Sequence, residues 1–231
     1  MINMILLDQV EPYFDFHVPL YNNYWLAGVW HHNCGKSVLL RNIVRSCSLY
    51  PGSMTMIMDP KGGGDFVEGH GLPGEVMLLR DSAKIRTWSS IARTEMEYRQ
   101  GVRRTPSVLQ IPDDVPVVIV VDEVQTVIDD AVVKDNLFRI LSMGRSSSIH
   151  CVLATQAPSA RIMGGNEMRV NAPTRVVLRV ATASDSRVAL TEAGAEKLLG
   201  QGDAYLLYEG RRRRIQVPFL EPERMFEEVR R

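Results

Sequence analysis

Residues 29–38 read VWHHNCGKSV. Gly35-Lys36-Ser37 has the ending of a phosphate-binding loop, GxxxxGK[ST]. In that pattern backbone N–H groups cradle phosphates, the lysine reaches the β- and γ-phosphates, and the hydroxyl takes Mg2+. The pattern needs a glycine five residues before Gly35, but Trp30 stands there, and the nearest earlier glycine is Gly28, two residues too far. The stretch decides the fold, because such a loop joins a strand to a helix in an α/β sheet.

Working outward toward the C-terminus, the pattern is α/β. Lys36 to about Cys47 carries Val38, Leu39, Ile43, Val44 and Cys47 on one side at helical spacing. Met54–Met58 is a short apolar strand ending at Asp59-Pro60, and residues 60–75 hold six glycines and read as a loop. Residues 82–104 read as a helix, with Ile85, Trp88, Met96 and Val102 on or near its apolar face. Val115–Val121 is a nearly continuous β-branched run, as expected of a strand buried on both faces. A helical region over about 131–145, strands at Ile149–Ala154 and Arg175–Val180, and a hairpin of Ala204–Tyr208 with Ile215–Phe219 follow. On this reading Arg211–Arg214 sits at the hairpin tip, and a charged helix follows Pro222. Strands alternating with helices predict a mostly parallel sheet covered on both faces.

GKS alone is a short string. The apolar strand ending in Asp122-Glu123 adds a second element: Asp122 is placed to hold the water shell of Mg2+, and Glu123 to orient or deprotonate an attacking water. A third strand ends in Ala154-Thr155-Gln156, where Gln156 can sense a γ-phosphate.

The segments VVDEVQTVID, GRSSSIHCVLATQAPS, NAPTRVVLRVATASDSRVAL and GAEKLLGQGDAYLLY, with MIMDPKGGGDF before them, resemble consecutive motifs of the FtsK/SpoIIIE family of DNA-pumping ATPases. The likeness covers roughly residues 35–219. It implies a RecA-like core, a ring of usually six subunits, ATP with Mg2+, and movement of double-stranded DNA. Related ATPases of conjugation and type VII secretion carry similar motifs, so the motor is better defined than its cargo. Residue by residue, the likeness places Gly35, Lys36 and Ser37 on the nucleotide. It gives Ser37 and Asp122 to Mg2+ and Glu123 to the attacking water, makes Gln156 the sensor, and makes Arg145 an arginine finger reaching a neighbour's γ-phosphate. Arg187 and Arg175 are alternative fingers. Arg211, Arg212, Arg213 and Arg214 can track DNA phosphates without reading sequence; a solvated turn or subunit contact is the other reading.

Residues 1–33 have another character, rich in Tyr, Trp, Asn and His. No strand feeding the loop is apparent there. YFDFHVPLYNNYWLAGVWHHN resembles the last two motifs of an intein, ending at the junction His32-Asn33-Cys34. The resemblance implies that the Asn33 side-chain amide attacks its own carbonyl carbon, breaking the bond to Cys34. His32 assists that cleavage, and the Cys34 thiol takes an upstream segment by thioester exchange. His31 and Asp15 are helpers, and Asn22 stands where such inteins often have histidine. An upstream partner ending in a glycine-rich stretch would complete the loop. The expected organisation is therefore a split-intein C-terminal fragment over 1–33, then an FtsK-like ATPase over 34–231. The fold is a RecA-like P-loop core lacking its first strand, with a small β-rich N-terminal fragment. The N-terminal half lies on a separate chain.

Composition agrees with these readings. The chain has 231 residues, 45% hydrophobic and 23% charged, with a formal net charge of zero, so its basic character is local. Cys34, Cys47 and Cys151 share no metal spacing and make no even disulfide set, which predicts a reducing cytoplasm. No apolar stretch reaches the roughly 18 residues of a membrane span. Two rivals remain. One is an intact, divergent P-loop ATPase whose loop runs Gly28–Ser37. The other is a non-hydrolysing module that docks DNA or a partner, against which the retained Lys36, Asp122, Glu123 and Gln156 argue.

Overall fold

The computed structural model describes residues 24–27, 35–62, 64–102, 107–156 and 171–227. In chain order the elements are β1 (Tyr24–Ala27), α1 (Lys36–Ser48), β2 (Met54–Met58), β3 (Glu75–Leu79), α2 (Ser82–Arg99) and β4 (Val117–Val121). Then come α3 (Ala131–Met143), β5 (Ile149–Thr155), β6 (Thr174–Leu178), α4 (Ala183–Leu190), β7 (Asp203–Tyr208) and β8 (Arg211–Gln216).

The strands form a sheet of order β3-β2-β4-β5-β1-β6-β7-β8. It is parallel from β3 to β6, and β7 and β8 add an antiparallel hairpin. Alternation along β4 explains its unbroken apolar run. Val117, Ile119 and Val121 pack with Ile85 and Met96 of α2 and Leu137 and Ile140 of α3. Val118 and Val120 turn the other way, toward Leu39, Leu40, Ile43 and Val44 of α1. Both faces of the strand are thus buried, as the parallel, helix-covered arrangement requires.

The helices begin where their caps dictate. The Asp81 carboxylate accepts from Lys84 N–H at the start of α2, and that of Asp130 from Val132 and Val133 N–H at the start of α3. Thr182 and Asp185 form a reciprocal capping box on α4. In contrast, α1 begins at Gly35 with no side chain capping it and no acid in its first turn.

Four differences from the sequence reading have physical causes. First, the core sheet does hold a strand ahead of the loop, where a strand feeding it was not expected: β1 lies parallel between β5 and β6, Tyr24 opposite both Val152 and Thr174. The slot between those strands exposes two rows of backbone N–H and C=O groups, and a β-prone stretch in the chain satisfies them. Second, β3 follows the glycine-rich loop at a place where the sequence reading put no element; five residues at a sheet edge are too few to show periodicity. Third, the arginine run is not a hairpin tip. The tip is Glu209-Gly210, both left-handed at φ 48° and 73°, and Arg211–Arg214 lie within β8. A two-residue turn with both central residues at positive φ matches the twist of the flanking strands. Fourth, residues 223–227 form turns rather than a charged helix, because Met225 and Phe226 are buried in the α1-side core.

Candidate nucleotide site

The C-terminal ends of β4, β2 and β5 and the start of α1 meet at one edge of the sheet, where ligands of open α/β sheets sit. The uncapped start of α1 leaves backbone N–H groups and a positive dipole end available to an anion. Gly35, at φ 99°, turns the chain into the helix.

Lys36 extends across this edge. Its Nζ donates to Asp122 Oδ1 at 2.5 Å and lies 3.5 Å from Glu123 Oε2. All three are buried, at 5%, 7% and 0% exposure. Glu123 stands at φ 76°, a conformation that costs an acidic residue about 1–3 kcal/mol and that clusters at working sites. Its Oε1 accepts from Thr155 Oγ1 at 3.2 Å and from the Gln156 backbone N–H at 3.1 Å. Its Oε2 has no hydrogen-bond partner among the described residues and faces only two ammonium groups, the second being Lys61 Nζ at 3.6 Å.

Three residues here escaped the sequence reading. Lys61 is one. Asp59 follows β2, is 2% exposed, and accepts from Gly62 N–H through Oδ1, while Oδ2 has no partner among the described residues. Burial first, then the charges of Asp122 and Asp65, push the Asp59 carboxyl above the ordinary carboxylate range, against the Gly62 N–H bond and the nearby Arg80. Asp65 accepts from Ser37 Oγ at 3.2 Å, and its backbone oxygen accepts from Arg41 at 3.1 Å. Burial lowers the Arg41 pKa, opposed by the charge of Asp65. The sequence shows that Asp59-Pro60-Lys61 directly ends an apolar strand, but only the pairing of β2 with β4 sets that end beside Asp122.

The structure brings Gly35, Lys36, Ser37, Asp122, Glu123 and Gln156 together. It does not bring Arg145 to them. Arg145 lies between α3 and β5, so it stands at the edge where the parallel strands begin, one strand length from Lys36. Seven strand residues span roughly 20 Å. The segment is held by Arg99 and Gln100 of α2, which donate to the Ser147 and Met143 carbonyls. Arg175 donates to the Ala189 carbonyl, and Arg187 lies on α4. In β8, Arg214 pairs with Asp203 through two bonds of 2.8 and 2.7 Å, and Arg212 pairs with Glu192 and stacks 4.8 Å from the Tyr205 ring. Arg211 and Arg213 alternate to the opposite face of that edge strand. Asp15, His31, His32, Asn33 and Cys34 lie outside the described residues.

The residues fit a magnesium nucleotide. Among the described residues no cluster of three His, Cys, Asp or Glu could hold a metal by itself. Mg2+ commonly keeps several waters and takes one or two protein groups plus phosphate oxygens, the role open to Ser37 and Asp122. The unpartnered buried oxygens of Asp59 and Glu123 are further acceptors for that water shell.

No family model matches the chain. It is 39% identical over 111 residues to the DNA translocase FtsK of Sporosarcina ureae, a match covering 46% of this chain and 14% of that protein. It is 36% identical over 103 residues to the DNA translocase SpoIIIE of Bacillus subtilis (strain 168), covering 44% and 13%. The chain thus spans about one seventh of the length of these relatives. Among solved structures, the conjugation coupling protein TcpA of pCW3, in its monomer form with ATPγS, superposes with a TM-score of 0.73 at 17% identity, over 91% of this chain and 64% of that one. Nearly half of the chain is therefore homologous to FtsK/SpoIIIE translocases, and its fold follows that of the TcpA chain over 91% of its length. Among the described residues no helix is long and apolar enough to cross a membrane.

Proposed function

We propose that this chain carries the ATPase core of a DNA-translocating motor of the FtsK/SpoIIIE kind. The observation that supports this best is the buried triad Lys36–Asp122–Glu123 set against the uncapped start of α1. When bound, Mg2+ would neutralise phosphate charge. The chain's own residues do the rest. Backbone N–H groups from Gly35 onward bind and orient the phosphates. Lys36 leaves Asp122 and follows the phosphate charge, which frees Asp122 to hold the metal's waters. Glu123, fixed through Oε1 by Thr155 and Gln156, keeps Oε2 open to accept a proton from the attacking water. Arg145, remote from its own site, serves a neighbouring copy, which requires a ring; six subunits and a cytoplasmic setting are part of the proposal. The β8 edge, Arg211 to Arg214, meets the phosphates of double-stranded DNA. The test is ATP hydrolysis by the spliced protein, with and without double-stranded DNA. Stimulation that is lost in Lys36→Ala supports the reading, and hydrolysis indifferent to Lys36 refutes it.

We further propose that residues 1–33 splice in trans. With β1 present in the sheet, this rests on the junction His32-Asn33-Cys34 and on loop spacing: six residues separate Gly28 from Gly35, where the phosphate loop has four. Two extra residues in so tight an anion nest misplace its N–H groups. The Cys34 thiol attacks the upstream thioester. The Asn33 side-chain nitrogen then closes on its own carbonyl carbon as the bond to the Cys34 nitrogen breaks, and that freed amine takes the acyl group from sulfur. A strand of the upstream partner inherits the slot that β1 fills. Mixing with an N-terminal intein partner should remove residues 1–33 by mass, and Asn33→Ala should block it. Robust DNA-stimulated hydrolysis by the unmixed chain would instead favour the Gly28–Ser37 loop.

A further inference from the structure

We propose that Phe219, flanked by Leu199, is the platform on which the purine base of the bound nucleotide stacks. This rests on the phosphate-site reading above. On that reading the polarity of the ligand is fixed: Lys36, which lies beside Asp122 and Glu123, meets the terminal phosphate on the β4–β5 side of α1. The nucleoside end must then leave on the other side, toward β6, β7 and β8.

That side is built tightly against the phosphate loop. A Cβ on Gly35 would fall 2.9 Å from the Cα and N of Gly202, so the two backbones touch. The Gly202 carbonyl accepts from Val217 N–H at 2.9 Å, which anchors the chain leaving β8 beside Gly35. Two residues later comes Phe219. Its neighbours are pinned to α1: the Pro218 carbonyl accepts from Asn42 Nδ2 at 3.0 Å, and the Leu220 carbonyl from Arg41 Nε at 2.8 Å. Leu199, three residues before Gly202, has its N–H held by Asp203 Oδ2 at 2.7 Å. On this anchored backbone the side chains of Phe219 and Leu199 are 78% and 79% exposed. Val217 and Leu220 are buried and Pro218 is half-buried, so Phe219 is the one of the four that faces outward. An aromatic held out from a fixed backbone, beside a phosphate site and on its nucleoside side, is a stacking surface for a flat base.

Calorimetric titration of the full chain with ATP and with inorganic tripolyphosphate tests this through the ratio of the two affinities, which a weak phosphate loop leaves unchanged. Phe219→Ala should weaken ATP about tenfold and leave tripolyphosphate unaffected, and Phe219→Trp should restore ATP. Lys36→Ala should weaken both ligands alike. An unchanged ratio in Phe219→Ala overturns the platform while the phosphate site stands. A changed oligomeric state with an unchanged ratio also overturns it, and shows that Phe219 meets a second copy. Failure of both the unspliced and the spliced protein to bind either ligand removes the phosphate site and the platform together.

Discussion

Replacing Lys36 with methionine keeps most of the side-chain volume and removes the charge at the centre of the site. Lys36 is the cation on two buried acids, at 2.5 Å from Asp122 and 3.5 Å from Glu123. Asp122 then loses its only ion-pair partner among the described residues, while Glu123 keeps Lys61 at 3.6 Å. Removing one member of a buried ion pair costs about 3–5 kcal/mol, because the other is left charged and desolvated. Lys61 is half exposed and covers part of the deficit, which places the nucleotide-free protein near the lower end, about 3 kcal/mol. For a domain of this size each kcal/mol moves Tm by about 2–4 °C, so scanning calorimetry without nucleotide should show a fall of about 6–12 °C. Adding Asp122→Asn should recover part of that loss, a coupling of about 1 kcal/mol or more in a double-mutant cycle. A Lys36→Met protein within about 0.5 kcal/mol of wild type would refute the reasoning, because the pair would then behave as a hydrated surface pair.

Glu123→Gln should bind ATP as wild type does and lose about 100- to 10,000-fold in turnover, measured by phosphate release in a single-turnover assay. Arg145→Ala should leave ATP affinity unchanged in its own chain and cut hydrolysis by about 1,000-fold in the assembled protein. Mixing it with an active-site-dead Glu123→Gln chain should recover some activity, because each would supply what the other lacks. For Asp203, burial alone would raise the carboxyl, but the Arg214 bonds and the Leu199 N–H outweigh it and hold the pKa below 3.8. A carboxylate with a depressed folded pKa stabilises the fold above its unfolded pKa, and that contribution fades as pH falls through the folded value. The acid limb of a stability–pH curve below about pH 4 should therefore flatten in Asp203→Asn.

What the sequence shows and what it hides follow from the range of the interactions. Val117–Val121 with Asp122-Glu123 is legible because a strand buried on both faces must be apolar throughout, and acids at its end must be at the surface or at a site. The helices are legible from periodicity, with ends set by Asp81 and Asp130, whose carboxylates cap them locally. Lys61, Asp59 and Asp65 were hidden because a glycine-rich loop has no periodicity to place its charges, and only the pairing of β2 with β4 brings them to Asp122. The contact of Gly35 with Gly202 joins residues far apart in sequence, and nothing near either one announces it. The arginine run misleads for a different reason: four charges in a row suggest a solvated turn, yet an edge strand pairs on one side alone and tolerates charge, which also discourages pairing with other chains.

The same geometry joins the arginine strand to the start of α1. Gly202 touches Gly35, Asp203 follows it, and Asp203 holds Arg214 through two bonds across the hairpin. A Cβ at Gly202 would fall 2.7 Å from the Val217 carbonyl oxygen, and its φ is +92°, so this position admits little besides glycine and the contact has little slack. A close-packed junction transmits displacement instead of absorbing it. Under the proposed mechanism, a shift of the start of α1 as Lys36 changes partners presses on Gly202, and through Asp203 on β8. The arginines lie inside that strand and not on a loose tip, so β8 can carry the shift to them without a hinge. If β8 meets DNA as proposed, the stiffness of the hairpin, more than the number of its charges, is what suits it to moving a phosphate backbone.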